Sequence, residues 1–173
     1  IQLITLVMNM NRHMGLDMCV GAAFNPHVKN IDAQISYVRR KVDAGARFIM
    51  TQPLFEASKI LEVHERIKSI GVPVFYGVLP LVSSKNAEFL HNEVPGIFIP
   101  EEVRRRMQID DKEKAAREGE AIAMEIIEAV RGRVSGIYLI SPFGRYDISA
   151  RIVKASSACR SVLRSLRQEG GVL

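Results

Sequence analysis

Residues 47–79 read RFIMTQPLFEASKILEVHERIKSIGVPVFYGVL, with one amphipathic segment between two short apolar runs. The runs 47–51 and 73–79 have the length and the β-branched and aromatic content of buried strands. Between them, apolar residues recur at helical intervals from Ile60 to Ile70, and a glycine follows. The stretch therefore predicts a strand, a helix and a second strand, and a connection of this length allows the strands to be parallel.

The same alternation continues on both sides of this stretch. Upstream, residues 18–24 are an apolar run closed by Asn25-Pro26, which predicts a strand buried on both faces. Downstream, residues 136–140 form a fourth apolar run. The helices predicted around these strands cover about residues 2–14, 31–42, 60–70, 84–90, 100–107, 112–130 and 148–166.

Four strands that are each followed by a helix predict an α/β fold with right-handed crossovers and a parallel sheet, because a parallel neighbour cannot be reached by a tight hairpin. A doubly wound sheet and half of a TIM (β/α)8 barrel both satisfy this order. No Gly-x-Gly-x-x-Gly follows any strand, which favours the barrel. A complete barrel takes about 250 residues, and this chain has 173. We expect a single domain over residues 1–173, supplying about four βα units, with a flexible tail at 168–173.

Composition and charge argue against several classes of function. The chain carries 24 Lys and Arg against 19 Asp and Glu, a net charge of +5. Its basic runs, such as residues 104–106, have no interleaved aromatic residues, so we expect no nucleic-acid partner. No apolar run reaches the roughly 18 residues of a membrane span, and Cys19 and Cys159 lack zinc-like spacing. We expect a cytoplasmic protein with no membrane partner and no metal site.

Ligands of parallel α/β folds bind beyond the carboxyl ends of the strands. These positions contain no Ser-His-Asp group, no carboxylate pair and no histidine cluster, so the pattern favours binding of a planar ligand over hydrolysis. Packing is the alternative for the aromatic residues among them, and loop hydrogen bonding is the alternative for the glutamine. The aromatic, amide, imidazole and guanidinium side chains at these ends are Phe24, His27, Gln52, Asn86, Phe143 and Arg145.

A polar stripe follows the helix after the first strand, where Gln34, Tyr37 and Lys41 recur at three- and four-residue steps. One interpretation is a solvated flank. The other is a contact with a phosphate-bearing cofactor, because in a barrel this helix begins at the ligand-binding end.

Several of these strings resemble segments of methylenetetrahydrofolate reductases, and the likeness extends from about residue 18 to residue 155. The string at 141–146 is similar to the version in bacterial proteins that fuse this reductase behind a homocysteine S-methyltransferase. The strings that carry the resemblance are Ala22-Ala23-Phe24, Lys41-Val42-Asp43-Ala44-Gly45-Ala46, Thr51-Gln52, Gly77-Val78-Leu79-Pro80-Leu81 and Ser141-Pro142-Phe143-Gly144-Arg145-Tyr146.

The resemblance implies the C-terminal half of a TIM barrel that carries FAD. Such an enzyme takes hydride from NAD(P)H and reduces 5,10-methylenetetrahydrofolate to 5-methyltetrahydrofolate, in one-carbon metabolism and methionine biosynthesis. The implied partners are the folate substrate, the N-terminal half of the same barrel, a fused homocysteine methyltransferase domain and further copies in a homo-oligomer. The family's proton donor is expected upstream, so we expect no catalytic residue within this chain and little or no activity from the chain alone.

The resemblance also assigns binding roles residue by residue. The substrate-binding positions are Gln52, Asn86, Phe143 and Arg145, and the cofactor-binding positions are Phe24, His27, Gln34, Tyr37, Arg40 and Lys41. Two positions depart from the family pattern, since Gln34 stands where an aspartate is expected and Ser141 replaces a tyrosine. These departures keep a second interpretation open, in which the chain is a non-catalytic half-barrel module with a degenerate flavin site.

Overall fold

The structure is a computed structural model that describes residues 1–156. Its helices are α1 (Gln2–Met14), α2 (Ile31–Asp43), α3 (Ala57–Ile67), α4 (Ser84–Glu93), α5 (Glu101–Arg106), α6 (Lys112–Val130) and α7 (Tyr146–Ala155). Its strands are β1 (Gly21–Phe24), β2 (Phe48–Pro53), β3 (Val74–Val78) and β4 (Gly136–Leu139), and short 3-10 helices cover Lys68–Ile70 and Pro142–Gly144.

Each strand and helix predicted within these residues is present, with ends that differ by a few residues. The strand predicted at 18–24 begins only at Gly21. The last helix begins at Tyr146 and is described as far as Ala155. Its predicted continuation to residue 166, Cys159 and the tail predicted at 168–173 lie outside the described residues.

The four strands form one parallel sheet in the order β1-β2-β3-β4. Helices connect successive strands, and α6 packs between α3 and α7 on the outside of the sheet. This arrangement confirms the predicted α/β class. No helix within residues 1–156 has both the length and the apolar character needed to cross a membrane.

Side-chain caps fix two helix starts beside the carboxyl ends of the strands. The side chain of Asn30 accepts a hydrogen bond from the backbone of Ala33 at 3.0 Å and begins α2. The hydroxyl of Ser83 accepts one from the backbone of Asn86 at 3.1 Å and begins α4. Such caps satisfy backbone N–H groups that a helix leaves free, so both loops after β1 and β3 have defined ends.

The two faces of the sheet differ in burial. On the helix-covered face, Ala22, Phe24 and Ile49 are buried. The positions that alternate with them form the other face, which we call the open face, and there Gly21 and Ala23 are exposed. The prediction that the first strand is buried on both faces is therefore wrong for the described chain, because the helices cover only one of them.

Aromatic rings cross neighbouring strands on the open face, and each lies above a glycine. A Cβ added to any of these glycines would come within 2.8 Å of the side chain above it. Glycine therefore allows each ring to lie close to the backbone of the next strand. The rings give the open face an apolar surface. The pairs are Gly21 with Phe48, Gly77 with Tyr138, and Gly136 with Phe75.

Candidate functional site at the carboxyl ends of the strands

Gln52 lies at the carboxyl end of β2, on the open face. Burial alternates along β2, so that Thr51 and Pro53 are buried while Gln52 is only half-buried. The rings of Phe48 and Tyr138 occupy the same face, because Gly21 and Gly77 lie beneath them. The sequence predicted Gln52 at a ligand-binding strand end, and the structure gives it a partly exposed side chain there.

The backbone around Gln52 departs from regular pairing. The register between β2 and β3 shifts between Met50 and Pro53. The hydroxyl of Thr51 accepts a hydrogen bond from the N–H of Gly77 at 3.1 Å and donates one to the carbonyl of Gln52 at 2.8 Å. The hydroxyl of Tyr138 donates to the carbonyl of Thr51. Side chains thus replace ladder bonds at this point.

Two cations lie close to one tyrosine near the carboxyl end of β1. The Lys41 Nζ lies 4.8 Å from the centre of the Tyr37 ring and the Arg40 guanidinium carbon lies 5.3 Å from it. Lys41 also donates to the carbonyl of Ala23 at 2.6 Å, and partial burial lowers the pKa of its ammonium group. The structure therefore brings three predicted cofactor-binding residues together, with the donors that a phosphate group needs.

Two other predicted cofactor residues have less surface to offer. Phe24 is 0% exposed and lies on the helix-covered face, so the predicted side-chain contact finds no free ring surface there. Gln34 is half-buried on α2. On the same helix, Tyr37 and Arg40 are exposed, and Lys41 is half-buried like Gln34.

His27 lies in a small aromatic cluster formed with the segment after α4. Its ring centre is 5.8 Å from that of Phe98, which is itself 5.3 Å from His91. The Nε2 of His27 is buried and has no hydrogen-bond partner within residues 1–156. Burial, and then the charge of Lys59, lower the pKa of His27, which favours a neutral ring.

Asn86 and Phe143, two of the predicted substrate positions, differ sharply in exposure. Asn86 is 9% exposed, and its Oδ1 accepts a hydrogen bond from the N–H of Val82 at 3.3 Å, so its side chain holds the loop before α4. Phe143 is 80% exposed and is the one non-glycine residue with positive φ in the described chain, at φ 45°. A bulky residue in this conformation is strained, and its ring is open to solvent.

Arg145 is engaged by carboxylates of α6 and α7. Its Nε lies 3.0 Å from Asp147, and its Nη1 lies 3.6 Å from Glu113. The hydrogen bonds from Arg145 and then from Arg151 hold the pKa of Asp147 well below its usual range. These groups line a cavity of about 550 Å³ between α6 and α7. The carboxylates that Arg145 contacts therefore belong to helices α6 and α7.

Three residues that the geometry brings into the site were not predicted from the sequence as site residues. Thr51 and Tyr138 shape the backbone at Gln52, and Phe98 covers His27. Periodicity places Tyr138 in a strand but does not show which carbonyl its hydroxyl reaches. Within residues 1–156, no group of three or more His, Cys, Asp or Glu side chains is arranged to hold a metal ion.

Comparison with known proteins covers nearly all of the described chain. The family model for methylenetetrahydrofolate reductase matches residues 2–154. The 5,10-methylenetetrahydrofolate reductase of Escherichia coli is 30% identical over 108 residues, which are 60% of this chain and 36% of that enzyme. Methylenetetrahydrofolate reductase 1 of Schizosaccharomyces pombe is 29% identical over 82 residues, 44% of this chain and 14% of that protein.

A solved structure supports the fold. It is an uncharacterized protein from Clostridium thermocellum that binds two copies of 5-methyl-5,6,7,8-tetrahydrofolic acid, and it shares 18% identity with a TM-score of 0.54. The match covers 86% of this chain and 56% of that one. Matches to the curated relatives span about a third or less of their length. With its parallel sheet and its match to the family model over residues 2–154, the chain belongs to the methylenetetrahydrofolate reductase family.

Proposed function

We propose that this chain is the C-terminal half of a flavin-dependent barrel that reduces 5,10-methylenetetrahydrofolate to 5-methyltetrahydrofolate with NAD(P)H. The observation that carries the proposal is the half-buried Gln52 at the carboxyl end of β2, beside the apolar open face. A family match over residues 2–154 supports the same activity. One-carbon metabolism and methionine biosynthesis in the cytoplasm are the setting that this activity implies.

Gln52 suits a pterin because a primary amide both donates and accepts hydrogen bonds. Because the amide is neutral, it can hydrogen-bond the pterin ring without competing for its protons. The rings of Phe48, Phe75 and Tyr138 offer an apolar surface beside it. A planar heterocycle held there keeps one edge on Gln52 and one face away from water, which is the orientation that hydride transfer requires.

FAD supplies the hydride-carrying ring when it is bound, and the residues near β1 fit its diphosphate. Lys41 and Arg40 each bring a positive charge close to the Tyr37 ring. A phosphate would replace the carbonyl of Ala23 as the partner of the Lys41 ammonium group. On the flavin-ring side, Phe24 contributes only its backbone, because its side chain is fully buried.

A charge-removing variant tests this cofactor contact. Lys41→Gln is expected to weaken the binding of ADP or FAD about tenfold, in line with the loss of a charge-assisted hydrogen bond. Arg39→Gln is the matched control, because Arg39 is an exposed cation of the same helix whose Nη2 donates to Ser69 instead. Equal losses from both variants would show only a general effect of charge, and the assignment of Lys41 would then be wrong.

The proton needed to open the methylene bridge has no donor that we assign to this chain. In the described residues, the segments that directly follow the strands contain one carboxylate, Glu56, which is exposed at the start of α3. A general acid commonly contributes a factor of about 10²–10⁴ in rate. We therefore propose that the chain alone is inactive or nearly so, and that the N-terminal half of the barrel supplies this group. Turnover by the 173-residue chain with FAD and folate substrate would contradict this.

Ligand titration tests the function as a whole. The distant structural relative binds 5-methyl-5,6,7,8-tetrahydrofolic acid, and we expect this chain to bind the same compound through Gln52. Fluorescence titration with 5-methyltetrahydrofolate, with and without FAD, measures the dissociation constant. Gln52→Leu keeps the size of the side chain and removes the amide, and it should weaken binding by at least tenfold. Undiminished affinity in that variant would refute the role of Gln52.

A non-catalytic half-barrel module is the second candidate function. Its support is that Gln34 stands where the family resemblance leads one to expect an aspartate, and that the guanidinium of Arg145 is already paired with Asp147. Purification of the chain together with its natural barrel partner separates the two candidates. A yellow complex with visible flavin absorbance favours the reductase, and a colourless complex that refuses added FAD favours the module.

The remaining partners are proposals that follow from the family and its resemblance to fused bacterial proteins. They are the N-terminal half of the same barrel, a fused homocysteine methyltransferase domain and further copies of the protein in a homo-oligomer. Mass measurement of the intact protein from its natural source tests all three, because each partner adds a distinct mass.

A further inference from the structure

The peptide between Thr51 and Gln52 lies where the pairing of β2 with β3 is interrupted. Partners follow in regular order up to Met50, which pairs with Phe75, and resume at Pro53, which pairs with Gly77. On the side that faces β3, the groups between them have lost their regular ladder partners, while Thr51 still pairs with Phe24 on β1. Thr51 is 2% exposed, and buried backbone polar groups need other hydrogen-bond partners.

Three side-chain hydrogen bonds hold this interruption. The N–H of Gly77 donates to the Thr51 hydroxyl at 3.1 Å, and that hydroxyl donates to the carbonyl of Gln52 at 2.8 Å. The third bond comes from another strand, since the hydroxyl of Tyr138 on β4 donates to the carbonyl of Thr51. Tyr138 thus reaches this peptide from across β3.

The path of Tyr138 depends on the glycine beneath it. A Cβ added to Gly77 would lie 2.8 Å from the Tyr138 hydroxyl oxygen and 2.9 Å from the ring carbon that bears it. Such separations are too short, so any larger residue at 77 would lift the phenol away from Thr51. Gly77 and Tyr138 therefore act as one unit.

We propose that Tyr138 is a positioning residue, whose hydroxyl fixes the plane of the Thr51–Gln52 peptide and thereby aims the Gln52 amide along the open face. Tyr138 reaches the ligand only through Gln52, so its effect on binding rests on the proposed function. The hydrogen bond from Tyr138 to the backbone of Thr51 does not depend on the proposed function. Burial raises the pKa of Tyr138, so the hydroxyl keeps its proton and remains a donor at neutral pH.

Tyr138→Phe tests the proposal, because the variant keeps the ring above Gly77 and removes only the donor. We expect the affinity for 5-methyltetrahydrofolate to fall about fivefold, which corresponds to one hydrogen bond of ordinary strength. Amide hydrogen exchange at Gln52 should accelerate by a similar factor, because its peptide loses a restraint. Unchanged exchange at Gln52 would overturn the proposal whatever the ligand.

Tyr76→Phe is the matched control. Tyr76 lies on β3, on the opposite face of the sheet, and its hydroxyl lies 3.1 Å from Nδ1 of His64. Both variants lose one hydrogen-bonded tyrosine hydroxyl, so a general loss of stability would appear in both. Only Tyr138→Phe should change exchange at Gln52 and folate affinity. Equal changes in both variants would overturn the positioning role.

Gly77→Ala provides an independent variant. It should reproduce the loss of Tyr138→Phe, and the double variant should be no worse than either single one, because both break the same contact. Additive losses would overturn the proposal. If the wild-type chain binds no 5-methyltetrahydrofolate, the proposed function fails, and exchange at Gln52 alone still decides the role of Tyr138.

Discussion

Gly119→Ala should destabilise the protein, although the same change in most helices is stabilising. Gly119 lies within α6 at the point where the helix crosses the loop after β3. A Cβ at this position would lie 1.8 Å from the carbonyl oxygen of Leu81 and 2.6 Å from its carbonyl carbon. Both are backbone atoms, so no side-chain rotation relieves the clash, and the helix and loop must separate by at least about 1 Å.

The expected magnitude follows from two opposed effects. Alanine gains about 1 kcal/mol over glycine in a helix interior. Overpacking of a buried contact typically costs about 1–3 kcal/mol, and a clash between two backbone segments belongs at or beyond the upper end. We expect a net loss of about 2 kcal/mol in the free energy of unfolding. For a domain of this size that lowers the melting temperature by about 4–8 °C.

Thermal and urea unfolding followed by far-UV circular dichroism measure this loss. Ala121→Gly is the matched control, because Ala121 is exposed in the same helix and its replacement should cost only the propensity of about 1 kcal/mol. A higher melting temperature for Gly119→Ala would refute the close approach of α6 to Leu81. The loop concerned also carries Val82, whose N–H holds Asn86, so the same variant should disturb this predicted substrate position.

Two further predictions concern the segment after β4. Phe143→Gly should raise the free energy of unfolding by about 0.5–1 kcal/mol, because an exposed phenylalanine at φ 45° is strained. If the ring stacks on the ligand, the same variant weakens 5-methyltetrahydrofolate binding in a titration. The depressed pKa of Asp147 stabilises the fold above the ordinary aspartate value near 3.8, and this contribution is lost as the pH falls below it. Asp147→Asn should therefore flatten the acid side of the urea midpoint plotted against pH, and an unchanged curve would contradict this.

Local sequence signals predicted the elements of this fold well. Glycines and prolines mark the element ends, and Asn30 and Ser83, residue types that favour helix N-caps, cap α2 and α4. These features depend on residues within a few positions of one another. The face of β1 was harder, because Gly21, Ala23 and their neighbours are all small or apolar and give no polar alternation.

The site could be predicted only as a set of positions. Strand ends fixed where Gln52 and Phe143 lie, but not their surroundings, because those come from distant parts of the chain. Tyr138 reaches Thr51 across 87 positions of sequence. The pairing of Arg145 with Glu113 is also non-local. The sequence of the loop around Arg145 does not show which carboxylate its guanidinium will contact.

The glycines of the open face connect the fold to the proposed chemistry. Glycine within a strand costs about 0.5–1 kcal/mol relative to alanine, and three such positions lie beneath aromatic rings in this sheet. A side chain at any of these positions would displace the ring above it, whereas glycine lets the ring lie close to the strand. The same device admits Tyr138 to the backbone at Gln52. Each glycine and its ring therefore pack as one unit, and the aromatic surface that results, beside the Gln52 amide, is what the proposed planar ligand would need.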